Sequence, residues 1–448
     1  MTTDIRNEVK RKFFHYAGPS VCSMWVYTIY TMVDGMFVSR GVSTTALASV
    51  NIAMPLINLA FALGILFAVG ASTRASYYKG QKKYREASEV FTTSTVTVFV
   101  LALTVSAFAM LNIDTIVRIL GANSETEQYV KDYLHIIIAF VPCYMTSYNM
   151  EVLIKADGHP KKAIATVCTG AVTNIFLDYV FIMRWGLGIK GAAVATGLSQ
   201  LITLLVFFHH FVRNKNGFTF VKIHWHMKEV LHYAKIGTAD AVTEFSSGIM
   251  IFMFNKALLA VSGNDGVVIY TVIAYVSQLV LSTMMGINQG MQPLVSYYNG
   301  NGRPDVYKYI LRVALVTAGC ASAAMFLLGV IHPDPIVGFF IDSHIEPELY
   351  TRGIAAFRLF SFSYIPLGTV IILGGYFTAL EYPKFAMSIS LGRGLIFIMI
   401  ALFIMSHLFG ETGIWLTMTV SETMAFIMAV IFYIRTFHRK KKNNPLTE

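Results

Sequence analysis

Charge is what this sequence has least of. Only 13% of its 448 residues are Asp, Glu, Lys or Arg, and 55% are hydrophobic. Soluble globular domains carry about 25% charged residues. With a mean hydropathy of +0.58, the composition excludes a single soluble body and describes a polytopic membrane protein. Cysteine is also scarce. Cys22, Cys143, Cys168 and Cys320 lie in or beside apolar runs at no metal-ligand spacing, so they read as small hydrophobic fillers rather than a disulfide framework or metal cluster. No Gly-x-x-x-x-Gly-Lys-Ser/Thr loop occurs, and no polar stretch is long enough for a soluble catalytic domain. The chain therefore offers no ATP site, and a transporter built this way runs on an ion gradient or a partner protein. Acids are outnumbered by bases, giving a net charge of +10. The surplus bases sit in short loops between apolar runs, the distribution of an inner-leaflet bias and not of a nucleic-acid surface.

Twelve runs reach the roughly 20 apolar residues that a crossing needs. The first six lie near 13–38, 46–73, 88–111, 128–154, 161–183 and 190–212; the second six near 229–261, 267–295, 306–331, 352–380, 384–408 and 412–436. The first run is too long for a signal-peptide core and is read as a retained span. With the N-terminus inside, the loop bases Lys79, Lys82, Lys83, Arg85, Lys161, Lys162, Arg213, Lys215, Lys222, Lys228, Arg303, Lys308 and 439–442 all fall on one side. The opposite loops are poor in Lys and Arg, and one carries Asp334, Asp342, Glu346 and Glu348. This alternation predicts both termini in the cytoplasm of a multi-pass protein of the cell (inner or plasma) membrane.

The halves repeat. Ser76-Tyr77-Tyr78-Lys79-Gly80 after the second span returns 220 residues later as Ser296-Tyr297-Tyr298-Asn299-Gly300. Pro160-Lys161 and Pro383-Lys384 are 223 residues apart, and Gly191 and Gly413 222. An even number of spans per half makes the repeat parallel, with its pseudo-twofold along the membrane normal. The expected fold is all-α: twelve transmembrane helices in two pseudo-twofold-related six-helix lobes. Its parts are an N-lobe over 1–212, a cytoplasmic linker over 213–228, a C-lobe over 229–437 and a basic tail over 438–448.

Ionisable groups at membrane depth mark functional sites by default. From helical rise, Asp34 lies roughly 30 Å above the inner end of the first span, Asp178 about 26 Å above that of the fifth, and Thr196 about 9 Å below the outer end of the sixth. All three fall in the outer part of the N-lobe. Asn174 shares a helix face with Asp178. Such an oxygen-rich set could hold Na⁺ or share protons between carboxylates. Alternatively each acid snorkels to the outer interface or meets a nearby base, Arg40 for Asp34 or Arg184 for Asp178, and Asn174 and Thr196 glue helices together. Glu244, about 22 Å into the seventh span, either faces a wet cavity or pairs with Lys256 or another base. Glu151, near the inner end of the fourth, either meets substrate or is solvated. Arg393 and Glu422 lie at matching depths and read first as a structural ion pair.

The chain resembles the MATE (multidrug and toxic compound extrusion) family of cation-coupled exporters over nearly its whole length. The resemblance rests on the six-plus-six layout, on Pro19 followed by Val33-Asp34-x-x-Phe37, and on the polar, basic turn after the second span. It also rests on Ala156-x-Gly158-x-Pro160, Asn174-Ile175-x-Leu177-Asp178, and Gly188-x-x-Gly191-Ala192-Ala193-x-Ala195-Thr196. It departs at Thr238, where many members have proline, and in lacking an acid in the body of the tenth span. Within the family the chain is similar to the bacterial and archaeal branch with an N-lobe ion site. That resemblance implies ion or proton coupling at Asp34, Asp178, Asn174 and Thr196, and a substrate or coupling role for Glu151 and Glu244. It implies a secondary active multidrug exporter of lipophilic or cationic compounds, in antiport with H⁺ or Na⁺ by rocking of its lobes, with no other cofactor or metal, functional as a monomer in the bilayer. The 22 Met, 33 Phe and 23 Tyr suit such a cavity, though most of them serve as lipid-facing filler. A lipid-linked oligosaccharide flippase of similar architecture is the alternative; it would want a cavity lined by Arg and Lys. A membrane-embedded enzyme ranks lower: His15 and His135 sit near span ends without a ligand-spaced partner.

Overall fold

The computed structural model describes residues 2–442 apart from 215, 216, 224, 342 and 344, and without the side chains of Thr44 and 437–442. Lys215, Asp342 and the tail expected at 438–448 thus lie, wholly or in their side chains, outside the described residues. Among the described residues the secondary structure is helical, with no strand.

The elements are α1 (Thr3–Gly41), α2 (Thr44–Gly80), α3 (Tyr84–Leu111), α4 (Ile113–Ile119), α5 (Glu127–Ala156), α6 (Pro160–Asp178), α7 (Gly188–Arg213), α8 (Met227–Gly300), α9 (Pro304–Ile331), α10 (Pro333–Gly338), α11 (Pro347–Ser361), α12 (Tyr364–Ala379), α13 (Pro383–Leu391) and α14 (Phe397–Lys442). Two rods each hold two crossings: α8, and α13 continued through a π-helical turn (Gly392–Ile396) into α14. α8 breaks at Gly263, where φ is 64°, and α14 breaks at Gly410, where φ is 55°. Positive φ is cheap only for glycine. α11 and α12 meet at a 40° bend as one broken span. With the remaining long helices this makes twelve crossings, so α1 begins and α14 ends on the same side. Helix starts follow local chemistry. Pro160, Pro304, Pro347 and Pro383 sit in first turns, where a missing N–H costs nothing. Ser43 caps α2 by accepting from the Ala46 amide at 3.0 Å.

The repeat extends to the irregular parts. The short helices α4 and α10 follow the third and ninth crossings at equivalent places. Lys82 and Gly302 turn with φ of 63° and 66°; Gly158 and Glu381 do so with φ of 101° and 59°. Each lobe has its own apolar core. The C-lobe core also takes in Val9, Phe13 and Ala17 from the lower part of α1, whereas Val38 at its far end packs in the N-lobe.

The lobes meet through glycines. A Cβ on Gly70 would strike the Tyr233 carbonyl, and one on Gly237 the Leu66 carbonyl. Gly286 and Gly290 of α8 lie as tightly on Val21 and Ala17 of α1. Gly80 abuts the Tyr297 carbonyl and Gly300 the Tyr77 carbonyl. All these contacts lie in the half of the molecule that carries the helix ends Gly80 and Gly300. There the seam is closed backbone to backbone.

Candidate functional site

Asp178 is the last residue of α6, fully buried, and the chain passes directly into one π-helical turn, Tyr179–Arg184. Such turns are rare and cluster at functional sites. The turn lies beside the outer part of α1, and there the Asp34 and Asp178 carboxyl groups lie against each other. Asn174, one turn earlier on α6, donates through Nδ2 to Thr196 Oγ1 of α7 at 3.4 Å. The four residues that sequence reasoning grouped are therefore brought together.

Among the described residues, four acceptors of this cluster receive no hydrogen bond. Asp34 Oδ1, both Asp178 oxygens and Asn174 Oδ1 are buried without a hydrogen-bond partner, a costly state for acceptors. Neither candidate base supplies one. Among the described residues no ion pair joins Arg40 or Arg184 to these acids. Arg184 Nε instead donates to the Tyr179 hydroxyl at 3.0 Å, over whose ring its guanidinium sits. Tyr133 stands near both carboxyls and Tyr30 near Asp34.

Tyr30 also lines a cavity of about 170 Å³ between the lobes. Its wall is aromatic on the N-lobe side. The hydroxyls of Tyr27 and Tyr144 are 3.0 Å apart, and Phe61 packs on Tyr144 and Tyr148 with ring centroids at 5.2 and 4.6 Å. The C-lobe side adds Thr243, Glu244, Ser247, Gln278 and Gln289. Glu151 and Glu244 both face the cavity, away from the Asp34 cluster. Glu151 accepts from Lys155 at 2.7 Å, and Lys155 also donates across the seam to Gln289 Oε1 at 3.0 Å. Glu244 has no ion pair among the described residues, Lys256 included.

Several residues escaped the sequence reading. Asp240, one turn below Glu244, accepts from Gln292 at 3.4 Å and from Thr378 at 3.5 Å, and lines small pockets beneath the cavity. The signal was available. Tyr144, Tyr148, Glu151 and Lys155 recur at spacings of three and four along α5, as do Asp240, Thr243, Glu244 and Ser247 along α8. A polar stripe at helical spacing inside an apolar span marks the face turned away from lipid. Arg74, Glu381 and His232 form a cluster across the seam: Arg74 Nη1 donates to both Glu381 oxygens at 3.2 Å, and His232 Nε2 lies 3.2 Å from Glu381 Oε2. Arg393 and Glu422 are an ion pair at 2.7 Å, with the Glu422 side chain 1% exposed. Asp157, His159 and His210 also gather. Asp157 is already engaged, accepting from the Phe218 amide and Asn214 Nδ2, each at 2.9 Å. It pins the segment after α7 to the end of α5.

Two helical lobes joined through a glycine seam, a closed lower end, a central cavity and a buried acid pair beside it define a polytopic membrane transporter. The MatE family model matches residues 19–180 and 241–404, one stretch in each lobe, and the chain belongs to that family. It is 25% identical over 431 residues to the multidrug export protein MepA of Staphylococcus aureus (strain bovine RF122 / ET3-1), covering 95% of this chain and 94% of that one. It is 24% identical over 433 residues to MepA of Staphylococcus haemolyticus, with the same coverage. Among solved structures, a MATE protein in complex with MaL6 superposes with a TM-score of 0.91 at 19% identity, covering 97% of both chains. The outward-facing conformation of a multidrug resistance MATE family transporter gives 0.88 at 20% identity over 95% of both. The protein is a transporter and not an enzyme.

Proposed function

We propose that the chain is a secondary active multidrug exporter that moves lipophilic or cationic compounds out of the cytoplasm in exchange for H⁺, with both termini cytoplasmic and one chain forming the working unit. The observation that carries the coupling is the contact between Asp34 and Asp178, which leaves three buried carboxyl oxygens without a donor among the described residues, beside a fourth orphan acceptor, Asn174 Oδ1. One shared proton supplies the missing donor and removes a buried charge. Na⁺ is the competing occupant, since the same oxygens suit a hard cation. The substrate reading draws on the MepA relatives and on the cavity, where Glu244 and a tyrosine-rich wall offer charge attraction and cation–π contact. The flippase reading would want unpaired bases for a pyrophosphate. The cavity instead presents Glu151 and Glu244, and nearby Lys155 is engaged.

With the cytoplasmic half of the seam closed, this is the state from which substrate leaves. Protonation of the pair from outside changes the packing of α1 on α6 and the π turn, and so favours the return. Ion and substrate must prefer different states, or neither moves the equilibrium. The test is uptake of a fluorescent lipophilic cation into inverted vesicles under an imposed pH gradient and, separately, an imposed Na⁺ gradient. Transport driven by the pH gradient and lost in Asp34→Asn supports the proposal. Transport driven only by Na⁺ replaces the ion, and transport under neither gradient moves the protein to lipid-flipping assays.

A further inference from the structure

Where the inner ends of α6 and α7 diverge, they leave a pocket of about 460 Å³ lined by Lys162, His209, His210, Arg213, Thr166 and Asn214 over an apolar floor. It lies outside the transport cavity and shares no lining residue with it. We propose that this pocket is a binding site for the phosphate headgroup of an anionic phospholipid of the inner leaflet.

Three features carry the assignment. The first is charge. Lys162 and Arg213 are exposed and have no carboxylate partner among the described residues. Asp157, beside the pocket, is buried and occupied by Asn214, the Phe218 amide, Lys79 and His159. Lys162 and Arg213 thus add two unpaired positive charges at the pocket mouth, while the buried Asp157 carboxylate gathers with His159 and His210 at its inner edge. The second is an orphan donor. Lys162 Nζ lies 3.3 Å from His210 Nδ1. An ammonium can only donate, so Nδ1 accepts and the ring proton sits on Nε2. His210 Nε2 is buried without a partner. A protonated imidazole nitrogen calls for an acceptor; Asp157 and His159 gather beside His210 within 4.8 Å without hydrogen-bonding to it, and a phosphate oxygen drawn in beside Lys162 provides one. The third is place. The pocket combines Ile154, Ala165 and Val206 with a basic rim at the end of two spans, the geometry in which headgroups bind between helices. Free inorganic phosphate shares the headgroup chemistry but would leave the apolar floor uncovered.

The site rests on the membrane-spanning fold and on which end is cytoplasmic, not on export, and its test reads lipid rather than transport. Full-length protein in mild detergent is titrated with phosphatidylglycerol or phosphatidylcholine and bound lipid is counted by native mass spectrometry. The expected result is a preference for phosphatidylglycerol of roughly tenfold. Lys162→Gln/Arg213→Gln abolishes it with an unchanged melting temperature, and Lys162→Arg keeps it. The control Lys82→Gln/Lys83→Gln, which removes two bases elsewhere on the same face, leaves it intact. An equal loss in the control would mean general attraction to the basic face and overturn the site, as would an undiminished preference in the pocket variant. Thermal protection by millimolar inorganic phosphate in phosphatidylcholine, matching that by phosphatidylglycerol, would reassign the pocket to a soluble anion.

Discussion

Arg74 of the N-lobe grips both oxygens of Glu381 in the C-lobe, each at 3.2 Å, across the closed half of the seam. The two residues are 307 positions apart, and each side chain is largely shielded from solvent, at 23% and 17% exposure. With the orientation and rocking proposed above, the bridge parts whenever the cytoplasmic side opens.

Arg74→Gln should therefore shift the protein toward the inward-open state. A partly buried charged hydrogen bond is worth about 1.5–3 kcal/mol, which corresponds to a tenfold or greater change in the ratio of states. Spin labels across the seam at the cytoplasmic ends of α2 and α8 would report a longer distance population. The exchange Arg74→Glu/Glu381→Arg should recover part of the closed state; an unchanged distance distribution in the single variant would show that the bridge holds nothing shut.

Asp178→Asn should separate stability from coupling. The new amide supplies a donor to Asp34, so stability should stay level or rise by about 1 kcal/mol, read as an unchanged or slightly higher melting temperature. Gradient-driven transport should fall to background. A variant that melts far below wild type would instead mean that the acid pair is a structural element.

Glu244 faces the cavity without an ion pair among the described residues, so its loss should be felt by charged cargo alone. Glu244→Gln should raise the KM for a lipophilic cation about tenfold, equivalent to about 1.4 kcal/mol, and leave a neutral substrate of similar size almost unaffected. Parallel uptake curves for the two compounds decide it.

Glycine at 237 is a steric requirement of the closed seam, because a side chain would meet the Leu66 carbonyl. Gly237→Ala should cost the closed state about 1–3 kcal/mol, the usual range for overpacking. Its signature is accessibility of cytoplasmic-side cysteine probes on α2 and α8 without loss of fold. Normal protection of those probes would count against the seam as a gate.

Arg393→Met should destabilise the C-lobe by about 3–5 kcal/mol, because it leaves the Glu422 charge buried and unpaired. Arg393→Met/Glu422→Leu should regain most of that, as read by thermal unfolding in detergent. Failure of the double variant to recover would assign Arg393 a role beyond pairing.

The spans were legible because long apolar runs and loop charge report the bilayer directly, and the two lobes because the turn sequences at Gly80 and Gly300 repeat. Asp34 and Asp178 were legible because a carboxylate at that depth needs a reason, and the Arg393–Glu422 pair because depth can be counted along a helix. Counting from one helix end cannot reveal rotation about its axis. So Asp240 passed unremarked beside Glu244, and Tyr27, Tyr144 and Tyr148 were lost among 23 tyrosines. The bridge from Arg74 to Glu381 was not legible, since nothing local distinguishes either residue from the other charges at span ends and in loops. Nor was the π turn after Asp178, where the residues Tyr179–Arg184 contain no proline or glycine to announce a break.

The crossing of α2 over α8 has a consequence for both halves. Each half brings a glycine, Gly80 or Gly300, and a tyrosine carbonyl, Tyr77 or Tyr297, and each glycine receives the other half's carbonyl. A contact in which both surfaces are the same surface is the contact of a twofold homodimer. Within one chain that symmetry makes the two halves steric hostages: neither can alter its glycine or the pitch of its helix end without spoiling the fit of the other.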